Sequence, residues 1–209
     1  KIAVPSTLQQ SIVHIGILLV QSVINSFGST AIAGYSAGMR IESLSIVPML
    51  AMGNAMSTFT AQNMGAGKID RVKEGYRMCY VIVLTAGAVL CIMYQLAGGA
   101  FVSLFLDSGS SEAYSVGLSY VKFLSFFYSF IGLKASTDGL LRGAGDVTAF
   151  TVANLVNLAI RVSVTNLFAP IYGIQVAWMA VPLGWAANYV ISFGWYLTGK
   201  WKKVRVIKK

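Results

Sequence analysis

The chain has 209 residues, of which 56% are hydrophobic and only 11% are charged, and its net charge is +9. Soluble domains contain roughly 25% charged residues, so this composition excludes an ordinary water-exposed domain. The positive charge does not indicate nucleic acid, because most of it lies at the ends of long apolar runs and on one side of them. Runs near or above the ~20 residues that cross a bilayer predict an all-α membrane protein, a six-helix bundle within residues 1–199. The predicted spans cover about 6–27, 39–61, 75–97, 114–138, 147–169 and 174–197.

Lysine and arginine are concentrated on one side of the predicted bundle. With six spans both termini lie on that side, which receives twelve of the 16 Lys and Arg residues, many of them in a basic tail at 200–209. The opposite connections, near 28–38, 98–112 and 170–174, contain none. Cytoplasmic loops are enriched in Lys and Arg, so we expect a multi-pass protein of the cell membrane with both ends of this segment in the cytoplasm. The tail either lies against anionic lipid headgroups or is a solvated flank of the last span.

The first predicted span carries a stripe of polar side chains, which are costly in hydrocarbon and face a cavity or another helix. Spacings of 4, 7 and 4 residues place them on one helix face. The stripe indicates either the wall of a hydrated cavity or a set of interhelical hydrogen bonds. His14 titrates near neutral pH and is therefore a candidate for ion coupling, with a structural hydrogen bond as the alternative. The stripe consists of Gln10, His14, Gln21 and Asn25.

The fifth predicted span repeats this pattern, with polar residues spaced 3, 4 and 4 apart on one face. Arg161 lies near the middle of the span, where an unpaired cation is expensive, so it needs water, a carbonyl or a carboxylate as a partner. We predict that this face lines the same cavity. Its residues are Asn154, Asn157, Arg161 and Thr165.

Two further sets of side chains are candidates for the cavity wall. One stripe of the second span carries Glu42, Ser45, Met49, Met52 and Met56. Flexible Met surfaces suit variable apolar ligands but equally suit ordinary helix packing. Ser129 lies on the polar face of the fourth span. These residues are predicted to contact substrate only if their faces turn toward the cavity.

Two charge pairs are predicted within the spans. Arg40 and Glu42 lie near the outer end of the second span and are expected to pair locally. Lys134 and Asp138 are four residues apart near the inner end of the fourth span, where a structural bridge with a snorkelling lysine is favoured.

The segment 62–73, QNMGAGKIDRVK, places lysine after a glycine-rich turn but lacks the spacer and the Ser or Thr of a phosphate-binding loop. The chain has no HExxH and no Cys/His metal spacing, so neither enzyme activity nor a metal or cofactor is predicted. The glycines are expected to permit a tight helix end, and Asp70 to cap the next helix. GAG returns at 143–145, in the other inner loop. The predicted cytoplasmic loop residues are Gln62, Asn63, Gly65, Gly67, Arg71, Arg142, Gly143 and Gly145.

Four segments together resemble the multidrug and toxic compound extrusion (MATE) family of efflux transporters. AQNMGAGKIDRVKEGYR at 61–77 is similar to an inner loop of that family, and VPSTLQQSI at 4–12 is similar to the start of its seventh helix. INSFGSTAIAGYSAGMRIESL at 24–44 resembles the following connection, and DGLLRGAGDVTAF at 138–150 resembles the turn between the tenth and eleventh helices. The resemblance covers essentially the whole chain but only the C-terminal half of a family member.

The resemblance implies one lobe of a twelve-helix transporter, with the N-terminal six-helix half of the same protein as its partner. It also implies export of small amphipathic or cationic substrates across the lipid bilayer by alternating access, in exchange for Na+ or H+. The carboxylates that some members place in the seventh and tenth helices correspond here to Val13 and Ile131, so the coupling ion stays unassigned. His14, next to the first of these positions, is the candidate substitute.

Two alternatives remain open at this stage. A flippase for lipid-linked precursors of the wider superfamily would need a more cationic cleft, for which Arg161, Lys122 and Lys134 are available. A membrane scaffold without transport activity would follow if no second half exists. The chain begins without Met, almost directly in a span, and we expect it to be part of a longer protein.

Overall fold

The computed structural model describes residues 15–107 and 111–203, and this part of the chain is helical throughout apart from short turns. The predicted all-α membrane fold is confirmed, and the described residues contain no β-strand. The helices are α1 (Ile15–Asn25), α2 (Ser29–Gly65), α3 (Ile69–Ser103), α4 (Ser111–Ser125), α5 (Tyr128–Gly143), α6 (Val147–Tyr172) and α7 (Gln175–Leu197), followed by the 3-10 turn η1 (Lys200–Lys203).

Four helices, α2, α3, α6 and α7, are long and apolar enough to cross a membrane. α2 has 37 residues and α3 has 35, so each is longer than the span predicted for it and exceeds the ~30 Å hydrocarbon core at about 1.5 Å per residue. The fourth predicted span is wrong as a single helix, because α4 and α5 meet at an angle of 53°. The N–H of Phe127 bonds the carbonyl of Leu124 at 2.8 Å, a tightened turn that ends α4 at this point. The first predicted span is described only from Ile15, so the count of six stays a prediction.

The two Gly-Ala-Gly loops have the same backbone structure. In each, the second glycine has a positive φ, +70° at Gly67 and +82° at Gly145. The N–H of Lys68 donates to the carbonyl of Asn63 at 2.8 Å, and the equivalent bond in the second loop is 2.9 Å long. This pattern is the Schellman ending of a helix, in which glycine avoids the steric cost of the left-handed conformation. The repeated motif therefore ends α2 and α5 in the same way, as the sequence predicts.

The helices that follow these loops begin differently from each other. The expectation that Asp70 caps α3 is wrong, because Asp70 lies inside the first turn and pairs with Lys73 at 2.7 Å. Asp146, by contrast, caps α6 by accepting from the N–H of Ala149 at 3.5 Å. The indole N–H of Trp195 also donates to Asp146 at 2.6 Å, which ties the start of α6 to the end of α7.

α2 and α5 pack through glycines that bring their backbones together, and α2 also packs against α3 and α4. A Cβ at Gly53 would lie 2.6 Å from the carbonyl oxygen of Ala135, and a Cβ at Gly139 would collide with the carbonyl of Gly53. Small residues at such contacts allow the close backbone approach that holds membrane helices together, since lipid provides no hydrophobic driving force between them. This seam fixes α5 against the middle of the bundle.

Replacing Gly139 by alanine is expected to destabilise the bundle by about 1–3 kcal/mol, because the added methyl overpacks the α2–α5 contact. The measurement is thermal unfolding of the purified full-length protein in detergent. Gly65→Ala is the matched control, because nothing lies within 4 Å of a Cβ at that helical glycine. Equal unfolding temperatures for the two variants would contradict the role of the seam.

Candidate functional site

A cavity of about 290 Å³ lies between α1, α2 and α6. Each helix turns one face toward it, because residues three or four apart on a helix point the same way. The wall is mostly apolar, but it includes a carboxylate, a guanidinium and three amides. The lining residues are Gly16, Ile17, Val20, Gln21, Tyr35, Met39, Glu42, Ser43, Ile46, Asn154, Asn157, Leu158 and Arg161.

Glu42 supplies the carboxylate of this cavity and is only 9% exposed. Its Oε2 accepts a short hydrogen bond from the phenol of Tyr120 on α4. The ring of Tyr120 is held edge-on between Tyr35, at 5.2 Å, and Trp178, at 5.6 Å between ring centroids. The carboxylate is therefore positioned by packing between α2, α4 and α7.

The expected local pair of Arg40 and Glu42 is wrong. Residues two apart lie on different faces of a helix, and Arg40 points outward with its guanidinium 6.0 Å from the ring centroid of Phe105. Glu42 faces the interior instead, where it is free to interact with other groups of the cavity.

Arg161 supplies the guanidinium and is half-buried on α6. It is close enough to interact electrostatically with Glu42 and Tyr35 across the cavity. Within the part of the chain that the structure describes, however, its side chain makes no hydrogen bond or ion pair. The stem of Arg161 packs against Gly184 of α7. A Cβ at this glycine would come 3.0 Å from Cγ of Arg161, so the missing side chain leaves room for the arginine.

A second polar group, the Asp138 cluster, consists of Lys134, Asp138, Asn154 and Ser192. Nζ of Lys134 lies 3.1 Å from Oδ2 of Asp138, and both side chains are largely buried. Nζ also donates to Oδ1 of Asn154 at 3.0 Å, and the hydroxyl of Ser192 donates to Oδ1 of Asp138 at 2.6 Å. The predicted Lys134–Asp138 bridge is thus present, and it joins α5 to both α6 and α7.

Asn154 connects the two polar regions. It lines the 290 Å³ cavity and also a smaller cavity of about 170 Å³ beside the Asp138 cluster. The smaller cavity extends to Arg142, whose guanidinium donates to Oδ1 of Asn54 at 2.8 Å. A row of polar groups therefore extends from the middle of the spans to the end of the bundle that carries the Gly-Ala-Gly loops.

The structure brings together four of the residues predicted for the cavity, Gln21, Asn154, Asn157 and Arg161. Asn25 lies one turn further on and accepts a 2.9 Å hydrogen bond from Gln21. Gln10 and His14 lie outside the described residues, so their predicted roles stay predictions.

The other predicted wall residues lie elsewhere. Met49 and Met56 are 1% and 3% exposed in the hydrophobic core, and Met52 packs against that core. Ser129 packs on α3, where a Cβ at Gly87 would collide with its hydroxyl. In this structure these side chains hold helices together, because the faces that carry them turn toward α3 and α5 and away from α6.

Sequence reasoning placed Glu42 on the stripe of the second span but named neither Glu42 nor Tyr35 as a cavity residue. Their spacing of seven residues, two helical turns, could have placed them on one face. It could not have shown which face meets α6, because that depends on how α2 is rotated against α4 and α5. Among the described residues, no group of three or more His, Cys, Asp or Glu side chains could hold a metal ion.

Comparison with known proteins identifies the family of this chain. Residues 5–168 match the model of the MatE family. The chain is 28% identical over 207 residues to the probable multidrug resistance protein YpnP of Bacillus subtilis, covering 99% of this chain and 46% of that protein. It is 21% identical over 218 residues to the probable multidrug resistance protein NorM of Thermotoga maritima, covering all of this chain and 45% of that protein. The chain spans about half the length of the curated relatives it matches.

The chain also resembles solved structures of MATE transporters. An outward-facing multidrug resistance MATE transporter superimposes with a TM-score of 0.85 over 93% of this chain and 43% of that chain. At 17% identity this likeness establishes the fold alone.

Replacing Asp138 by asparagine is expected to lower the free energy of unfolding by about 3–5 kcal/mol, because Lys134 would keep a buried charge without its counterion. Asp70→Asn is the matched control, since it breaks the exposed pair with Lys73, which solvent screens, and should cost far less stability. Thermal unfolding in detergent measures both. The double variant Asp138→Leu with Lys134→Met should recover much of the loss, and a single variant no worse than the control would refute the buried bridge.

Proposed function

Because the chain belongs to the MatE family, we propose that it is the C-terminal lobe of a secondary transporter that exports small amphipathic or cationic molecules by alternating access, in exchange for Na+ or H+. The observation that carries this proposal is the polar cavity between α1, α2 and α6. A carboxyl group, a guanidinium and three amides converge there, on helices that are mostly apolar. Such groups are costly within a membrane and mark pathways for substrates or ions.

The chemistry of the cavity suits this role. Its volume of about 290 Å³ approaches the range of roughly 300–1,000 Å³ typical of small-molecule sites. Apolar side chains such as Val20, Met39 and Ile46 offer surface to an amphipathic substrate. Glu42 offers a carboxyl group to the cationic part of that substrate or to a coupling ion.

The partner in this proposal is an N-terminal six-helix half of the same protein. A lobe with an even number of spans is repeated in the same sense across the membrane, with the symmetry axis along the membrane normal. The length of the chain relative to its relatives supports this arrangement. The lobes would enclose the pathway between them.

A flippase for lipid-linked precursors is less well supported. Of the three cations available for a pyrophosphate group, Lys134 is bound within the Asp138 cluster and Lys122 does not line the cavity. Among the lining residues that the structure describes, Arg161 alone is cationic.

Efflux of ethidium from cells or everted vesicles that contain the full-length protein tests the proposal, with the Na+ and H+ gradients collapsed separately. We expect gradient-dependent efflux that Glu42→Gln reduces at least about tenfold, because the cavity loses its carboxylate. Glu74→Gln, at an exposed position of α3, should leave efflux unchanged. Absence of efflux under both gradients, with the protein present in the membrane, would overturn the proposal. Movement of labelled lipid instead would favour the flippase.

A further inference from the structure

After α7 the chain turns back onto the end of the bundle that carries the Gly-Ala-Gly loops. Gly199, with a φ of +67°, ends α7 and leads into η1 (Lys200–Lys203). Trp201 is thereby fully buried, and its ring stacks on that of Tyr196 with 5.6 Å between the centroids and 14° between the planes. Its indole N–H donates to the carbonyl of Tyr196 at 3.1 Å. These contacts hold η1 in one position against α7.

The two lysines that flank Trp201 remain exposed. Nζ of Lys200 lies 5.2 Å from the ring centroid of Trp195, and Nζ of Lys202 lies 5.7 Å from that of Trp201. An ammonium is attracted to the face of an indole, so each ring favours a defined position for the charge beside it. Within the part of the chain that the structure describes, neither lysine forms an ion pair.

The first turns of α3 lie beside η1. Asp70 is close enough to interact electrostatically with Lys202, and Lys73 with Tyr196. Asp70 is also paired with Lys73 at 2.7 Å, so these two charges largely cancel. We call the surface formed by residues 68–74 and 200–202 the tail platform. Its five cations and two carboxylates are Lys68, Arg71, Lys73, Lys200 and Lys202, with Asp70 and Glu74.

The tail platform lies where α7, one of the apolar helices that could cross the membrane, comes to its end. Three aromatic side chains are grouped there, Trp195, Tyr196 and Trp201, and such residues are enriched at the level of the lipid headgroups. Leu197, in the same last turn, is 66% exposed and offers apolar surface beside the lysines. Cationic and apolar surface are therefore adjacent at the boundary between water and hydrocarbon.

We propose that the tail platform is a binding site for an anionic phospholipid, whose phosphate lies between Lys200 and Lys202 and whose glycerol and first methylenes contact Leu197. The excess of positive charge complements the negative headgroup, and the exposed leucine favours a lipid over a free anion. Basic residues next to a span attract anionic lipids, and each contributes about fivefold to the affinity near the membrane surface. Trp201 is the positioning residue, because it holds η1 against α7. The site is separate from the cavity between α1, α2 and α6, so it does not depend on what is transported.

The test is thermal unfolding of the purified full-length protein in a neutral detergent, titrated with phosphatidylglycerol, phosphatidylcholine or inorganic phosphate. A ligand that binds the folded protein raises the unfolding temperature with its concentration, which gives an apparent Kd. We expect phosphatidylglycerol to bind at least about tenfold more tightly than phosphatidylcholine, with little effect of inorganic phosphate. This preference should shrink when salt is raised from about 0.05 to about 0.5 M, because exposed charges are screened.

The double variant Lys200→Gln with Lys202→Gln is expected to raise the Kd for phosphatidylglycerol at least about tenfold, since two cations are lost. Without lipid its unfolding temperature should not change, because both side chains are exposed. The single variant Lys202→Gln has a matched control in Arg40→Gln, which removes another exposed cation beside an aromatic ring, that of Phe105. The control should leave the Kd unchanged.

Trp201→Leu separates a positioned site from a general attraction of charge, because it keeps every lysine. We expect it to weaken binding of phosphatidylglycerol about threefold, since Lys202 loses the ring beside it and η1 loses its stacking on Tyr196. Full affinity in this variant would show that charge alone attracts the lipid and that no positioned site exists.

Three other results would overturn the proposal. Equal binding of phosphatidylglycerol and phosphatidylcholine would show that the headgroup charge is not recognised. An equal effect of inorganic phosphate would show that the tail platform takes a free anion and not a lipid. An unchanged Kd in the double lysine variant would place any lipid site elsewhere on the protein.

Discussion

A polar group in the hydrocarbon of a bilayer must find a partner inside the protein, and this requirement determines which helices of the bundle are joined. The buried pair of Lys134 and Asp138 satisfies this requirement through hydrogen bonds with side chains of α6 and α7. The Glu42 carboxylate meets it through Tyr120, which ties α2 to α4. Arg161 differs from these groups, because its guanidinium makes no hydrogen bond or ion pair in the described chain and interacts with Glu42 only across the cavity.

Close backbone packing gives these polar contacts a rigid frame. Glycines along the α2–α5 seam bring the two helices into contact, and α5 then presents Lys134 and Asp138 to α6 and α7. Gly184 of α7 likewise allows close packing, because it leaves room for Asn157 and the stem of Arg161 on α6. The cavity is therefore bounded by helices whose positions depend on residues with no side chain, while its chemistry depends on a few polar residues of α1, α2 and α6.

Several features of the fold and site follow from local patterns and are correctly predicted. The spacing of Asn154, Asn157 and Arg161 places them on one face whatever surrounds α6, and the four-residue spacing of Lys134 and Asp138 permits their pairing. Other predictions fail because they need information from a neighbouring helix. Met49 and Glu42 both lie on α2, yet one is core and the other lines the cavity, because α5 and α6 cover different parts of the helix. Asp70 has the sequence position of a cap, but it pairs with Lys73 instead.

The sequence by itself determined the all-α membrane class and the two Gly-Ala-Gly turns, because hydropathy and glycine conformation act over a few neighbouring residues. It also placed a polar stripe on the fifth predicted span. Only the tertiary structure decided that α4 and α5 are separate helices at 53° and that Asn154 joins two cavities. It alone placed Glu42 opposite Arg161, because the rotation of α2 against α6 is set by packing between residues far apart in the chain.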